Sequence, residues 1–222
     1  MNKALNLQVL ILIIALIALS SCSRDIFLSS TYSSAINSLI NFYRENPSSF
    51  DRNIIDKIPY ASSLISFKDF EKSLIILQKT QDETNYWISS DEIIFKEKEG
   101  RIIGTMGLPN DIYSINRPNI DFEEIVKTKA IDYVSYYSFK NPDLNNLKVS
   151  SSIRVIGLEK ITILNREYNT ILIEENIYSE TINWSVSNKF WVEPEGFFVR
   201  KSVQFLSPRL PKVTIEVTKR PS

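Results

Sequence analysis

One residue in this chain is placed for a defined covalent reaction: Cys22, the sole cysteine among 222 residues. It follows Leu19-Ser20-Ser21, a branched apolar side chain and two small ones. Small residues before a cysteine admit a peptidase to the backbone, and the thiol takes a diacylglycerol before cleavage. Upstream, Lys3 provides a short positive region, and residues 7–19 form an apolar run broken only by Gln8. That run is shorter than the ~20 residues a spanning helix needs, and its flanks are those of an export signal. The alternative, an uncleaved apolar anchor with an incidental cysteine, leaves the lone thiol without a role.

Cleavage before Cys22 divides the chain into a lipoprotein signal peptide (1–21), a lipidated tether (22–30) and a single periplasmic β-rich domain (31–222). Two or more acyl chains hold a protein on a membrane where one binds only marginally, so the membrane is the partner expected through Cys22. Ser23 follows, with no aspartate to retain the protein at the inner membrane. The expected location is the periplasmic face of the outer membrane.

Elsewhere the residue types remove chemistries. The chain has no histidine, which excludes the usual general base, the usual zinc ligand and any Ser-His-Asp arrangement. With Cys22 acylated, thiol catalysis goes as well. Paired carboxylates or a Ser-Lys arrangement remain, and the carboxylate candidates are Glu123-Glu124, Glu174-Glu175, and Glu193 and Glu195 about Pro194. A glycosidase needs two carboxyls roughly 5–5.5 or 6.5–9.5 Å apart, whereas strand neighbours point to opposite faces. The expectation is a non-enzymatic protein without metal or cofactor. The 26 Lys+Arg balance 26 Asp+Glu, so no basic surplus marks a nucleic-acid binder.

The binding candidates are aromatic and charged. Trp87, Trp184 and Trp191 can stack on the C–H faces of sugar rings, or fill a core as large strand aromatics commonly do. Arg101 offers a planar donor fork for a uronate or phosphate, or a structural ion pair with Asp91 across a hairpin. Asp111, after Gly107-Leu108-Pro109-Asn110, is a further glycan or partner candidate, or fixes an Asx-type turn.

The elements that must position these residues are mostly strands. Thr31 reads as an N-cap, with Ile36, Leu39, Ile40 and Tyr43 at helical spacing and Asn46-Pro47 ending the segment. From Ala61 onward short Ile-, Leu-, Phe- and Tyr-rich segments alternate with polar turns. Strands are predicted at 73–80, 84–90, 92–97, 101–106, 122–139, 151–158, 160–164, 170–178, 183–192, 197–206 and 213–219. Lys98-Glu99-Gly100 and Pro194-Glu195-Gly196 are the predicted tight links, and 108–121 and 140–148 the long loops. The expected fold is mainly β: a curved, many-stranded antiparallel sheet, half-barrel or sandwich-like, with one N-terminal helix.

Several of these residues recur in a known order. Ile58-Pro59-Tyr60-Ala61, Trp87-Ile88-Ser89-Ser90-Asp91 and Gly100-Arg101-Ile102-Ile103-Gly104-Thr105-Met106-Gly107-Leu108-Pro109-Asn110-Asp111 precede a C-terminal block. That block holds Trp184, Asn188, Phe190-Trp191-Val192-Glu193, Gly196, Val199-Arg200, Ser202 and Gln204. Together they resemble the group 4 capsule polysaccharide lipoproteins, the YjbF/GfcB family, with Glu193 where the family often has aspartate. The resemblance implies a lipid-anchored, mostly β accessory component in export or assembly of a capsular or exopolysaccharide. Its implied partners are polysaccharide and other export-machinery proteins; no catalytic residues transfer. The alternative is a lipid- or lipoprotein-handling half-barrel. Cys22→Ala should abolish palmitate incorporation and leave an unprocessed precursor, read by metabolic labelling and intact mass.

Overall fold

The computed structural model describes residues 50–221. The helix expected over residues 31–46, the tether and Cys22 lie outside the described residues. Twelve strands form one antiparallel sheet: β1 (Ser62–Phe67), β2 (Ser73–Gln81), β3 (Thr84–Ser89), β4 (Ile94–Lys98), β5 (Arg101–Met106), β6 (Asp111–Asn116), β7 (Ala130–Lys140), β8 (Leu144–Ile163), β9 (Arg166–Ser179), β10 (Trp184–Val192), β11 (Val199–Gln204) and β12 (Val213–Lys219). Their order is β5-β4-β3-β2-β1-β12-β11-β10-β9-β8-β7-β6. Every sequential neighbour pairs except β5 and β6, which are the two edges, and β1 closes on β12 instead. The curved antiparallel sheet read from the sequence is thus present, rolled into a nearly closed barrel.

Side chains close the seam. Thr105 Oγ1 on β5 donates to Asp111 Oδ1 (2.8 Å) and accepts from Ile112 N on β6 (2.9 Å). On the far side of β5, Gln204 of β11 acts as a substitute peptide group. Its Oε1 accepts from Ile102 N (3.0 Å), and its Nε2 donates to Gly100 O (3.0 Å). An unpaired buried N–H or C=O costs roughly 1–3 kcal/mol, so these bonds are what let β5 leave solvent.

Drawn inward, β5 separates two apolar clusters. Ile102 belongs to the larger one, with Trp87, Phe95, Tyr137, Phe139, Ile177 and Trp184. Arg101, on the opposite face of β5, lies over Phe122 and Phe190 of the second. That second cluster also contains Ile125, Ile153, Ile173 and Val192.

Two helices flank the sheet. α1 (Arg52–Lys57) is capped by Asp51 and tied to β12, where Arg52 Nη1 donates to Thr218 O (3.1 Å). α2 (Phe122–Thr128) corrects the strand predicted over 122–139. The Asp121 side chain caps it by accepting from Glu124 N (2.7 Å), and Lys127 pairs with Glu123 one turn back (2.6 Å). Phe122 and Ile125, spaced i and i+3, then bury together; the strand begins only at Ala130.

Three further segments differ from their predicted form. The long loop 108–121 contains β6. The loop 140–148 is a tight hairpin, with β8 starting at Leu144. The strands predicted at 151–158 and 160–164 are one 20-residue strand, continuous through a register shift between Val155 and Gly157. A bulge breaks the alternation that a single strand would otherwise display.

Gly100 marks where β5 turns in. Its φ is +77°, and a Cβ there would fall inside the Val199 side chain. Gly100→Ala should cost about 2–4 kcal/mol. Gly196→Ala, with φ +73° but open space around it, should cost roughly 1–2 kcal/mol. Urea denaturation of both variants checks the difference.

Candidate functional site

Inward positions of β7, β9, β10 and β11 build a polar node inside the barrel. Glu175 and Asn188 oppose each other directly across β9 and β10, and Asn188 Nδ2 donates to Glu175 Oε2 (3.1 Å). Tyr133 reaches the other carboxylate oxygen from β7, passing β8 where its opposing residue is the small Ser151. Asn188 Oδ1 accepts from Phe205 N (2.8 Å), which ties the node to the strand carrying Gln204. Glu175 is 3 % exposed, so these bonds stand in for its water. Burial pushes the Tyr133 and Tyr137 hydroxyls well above the ordinary phenol range, with the Glu175 charge adding to it. Tyr133 therefore remains a donor to Glu175.

Arg101 sits beside this node at 5 % exposure. Its guanidinium carbon is 4.0 Å from the Phe122 ring centroid and 5.2 Å from that of Phe190. Neither Nε nor Nη1 has a hydrogen-bond partner in the protein. Burial lowers its pKa, and the positive charge of Arg117 lowers it further, against a smaller opposing effect of Glu175. Arg117 is itself held only by a 3.8 Å contact to Glu99. Arg101, Arg117, Tyr133, Glu175, Asn188 and Gln204 share one cavity of about 20 Å³.

The six residues singled out from the sequence do not form one site: Trp87 and Trp184 share the larger core cluster, and the other four lie elsewhere. Trp87 is buried, its Nε1 donating to Glu97 Oε2 (3.2 Å). Trp184 meets Tyr137 and Phe139 edge-on at 6.2 and 6.5 Å between centroids. Trp191 faces outward from β10, buried with Ile161, Ile163 and Tyr168 beneath the Lys201 ammonium (5.4 Å). Asp111 takes Thr105 Oγ1 and the amides of Gly107 and Leu108. Asp91 is exposed on the rim of an open groove of about 390 Å³ floored by Phe67, Phe70, Ile93 and Phe95. Asp91 and Arg101 line different cavities.

A second open groove of about 470 Å³ lies beside α2. Phe197 and Phe198 supply half-buried carbon faces, Phe122 lies buried in its wall, and Glu97, Glu99, Asp121 and Glu123 supply carboxylates. Two of those acids have structural duties: Asp121 caps α2, and Glu97 accepts from Asn85, Trp87 and the Gly100 amide. No group of three acidic residues close enough to hold a metal ion occurs among the described residues. No helix among them is long and apolar enough to cross a membrane.

Of the polar node, the sequence marks Glu175 only as half of the Glu174-Glu175 carboxylate pair and Asn188 and Gln204 only within the family block, and it does not mark Tyr133. Their signal was present: Ile171, Ile173 and Ile177 repeat every second residue, and Glu175 occupies an inward slot of that series.

With this geometry in place, comparison with known proteins decides the family. The sequence profile of the group 4 capsule polysaccharide lipoprotein GfcB/YjbF matches residues 32–218. The chain belongs to this capsule polysaccharide lipoprotein family. Among curated relatives, lipoprotein GfcB of Escherichia coli K12 is 22% identical over 169 residues, covering 74% of this chain and 77% of the relative. Lipoprotein YjbF of the same organism is 20% identical over 157 residues, covering 68% and 72%. The crystal structure of the hypothetical lipoprotein YmcC from Escherichia coli K12 superposes with a TM-score of 0.76 at 19% identity. That superposition covers 87% of this chain and 98% of the other, and it shows the shared fold.

Asn188→Ala leaves Glu175 Oε2 and the Phe205 amide without their partners. Urea denaturation should record a loss of about 2–4 kcal/mol, within the range for an uncompensated buried polar group.

Proposed function

We propose that this protein is an outer-membrane lipoprotein, facing the periplasm, that assists export or assembly of a capsular or exopolysaccharide without catalysing a reaction. The observation that carries this reading is the family match across residues 32–218 behind a cysteine placed for acylation. Membership supplies the polysaccharide, and Cys22 supplies the membrane.

The interior favours this over the lipid-handling alternative. The two cavities of the barrel interior measure about 30 and 20 Å³, whereas small-molecule pockets run to roughly 300–1,000 Å³. An acyl chain has no room there. Among the described residues, two open grooves of about 470 and 390 Å³ have a suitable size. In the first, aromatic faces complement the C–H faces of pyranose rings and carboxylates accept from sugar hydroxyls. Asp91, on the rim of the second, is the candidate from the sequence that we carry forward as a partner contact.

The test is surface-bound and secreted polysaccharide in a deletion strain, complemented with the wild-type chain or with Cys22→Ala at matched exported levels. Glycan output should fall on deletion and return only with the acylated form. Unchanged glycan with failed lipid or lipoprotein sorting would replace this reading with the lipid-handling one.

A further inference from the structure

Arg101 presents a physical problem that the fold alone does not solve. A buried guanidinium without an ion pair costs several kcal/mol, and buried charges in proteins are paired. Here two donor nitrogens lack partners, and the charge acting most strongly on Arg101 is that of Arg117, a second cation. Stacking on Phe122 and Phe190 compensates part of the charge, since cation–π contacts give about 2 kcal/mol when desolvated. It leaves the in-plane N–H groups unanswered. Glu175 does not answer them, because it makes no hydrogen bond or ion pair with Arg101 and its oxygens take Tyr133 and Asn188. Arg117 has only the 3.8 Å contact to Glu99, beyond hydrogen-bond length.

Both arginines line the same cavity, whose volume of about 20 Å³ exceeds the ~10–15 Å³ that one water-sized occupant needs. We propose that this cavity is a binding site for a single monoatomic anion, chloride, held between Arg101 and Arg117. The volume sets the class of ligand. A phosphate, sulfate or uronate carboxylate is too large, and Arg101 at 5 % exposure is out of reach of a polymer chain. A bound chloride accepts from the free Arg101 donors and, together with the Glu175 carboxylate that lines the same cavity, balances the two cations. The same ion consolidates the seam, because Gln204, which bonds β5, lines the cavity too.

The test uses the full-length acylated protein in detergent. Thermal unfolding is followed in sodium chloride and in sodium gluconate at equal ionic strength, and crystals grown in sodium bromide are examined for anomalous scattering. Binding to the native state alone raises Tm with ligand concentration. A rise of about 2–4 °C in chloride is expected, the amount that corresponds to one kcal/mol of linkage in a domain this size. A bromide peak is expected between Arg101 and Arg117. Arg101→Met, which keeps the apolar stack and removes the donors, should abolish the chloride dependence. Should that variant fail to fold, Arg117→Gln should shift half-saturation to about tenfold higher chloride. Equal Tm in the two salts with no bromide peak in the cavity means that water alone occupies it, and overturns the proposal. So does a chloride dependence that survives both substitutions.

Discussion

The need to finish an open sheet governs this structure. A twelve-stranded antiparallel sheet has two edges, each a row of backbone donors and acceptors. Here the edges are β5 and β6, consecutive in the chain but not laddered with each other. The protein satisfies them with side chains. Thr105 and Asp111 bridge the seam directly, while Gln204 offers β5 an amide with the donor–acceptor pattern of a peptide. An amide on one strand can copy only one peptide unit, so the pairing is short and β5 can enter the barrel at an angle that a full ladder would forbid.

The polar interior follows from that entry. A strand crossing the middle of a barrel has apolar matter on both faces, and alternation sends successive residues into different clusters. Ile102 goes to one and Arg101 to the other. Gly100 is required at the entry because Val199 occupies the space a side chain would take. Glu175, Tyr133 and Asn188 then surround the seam with groups whose hydrogen bonds satisfy one another. Such a network fixes register: a one-residue slip of β9 would move Glu175 to the outer face and an apolar or polar neighbour inward. The carboxylate is therefore explained by assembly of the barrel, with no catalytic duty needed to account for it.

Much of this architecture was legible before any coordinates. The strands at 73–80, 101–106, 183–192 and 213–219 lie within a residue or two of those observed, because their β-branched and aromatic runs end in turn residues. What was hidden has physical causes. α2 falls inside a predicted strand, since Ile125 and Val126 have β propensity; the helix signals there, Asp121 as N-cap and the Glu123–Lys127 spacing, did not enter that reading. β8 was divided because its bulge interrupts period two. Phe190-Trp191-Val192 defeats alternation since both faces of β10 are covered there, one by the barrel core and the other by Ile161, Ile163 and Tyr168. The grouping of the node was hidden for a different reason. Arg101, Glu175 and Gln204 are each visible singly, but they are brought together by the closure of the sheet, a long-range event that no local pattern encodes.

Closure also constrains how the domain can meet a polymer. A barrel whose interior cavities measure about 30 and 20 Å³ has no lumen wide enough to conduct a chain. On the proposed reading, recognition would take place on the outside, where open grooves lie among the described residues. The groove beside α2 is lined by four acids, of which Glu99 contacts Arg117 and Glu123 pairs with Lys127. On the proposed reading, an anchor at Cys22 would confine the domain to a layer near the membrane and raise the local concentration of a contact made on such a surface. The barrel would then serve as a mount, with avidity coming from the anchor and not from the shallow groove.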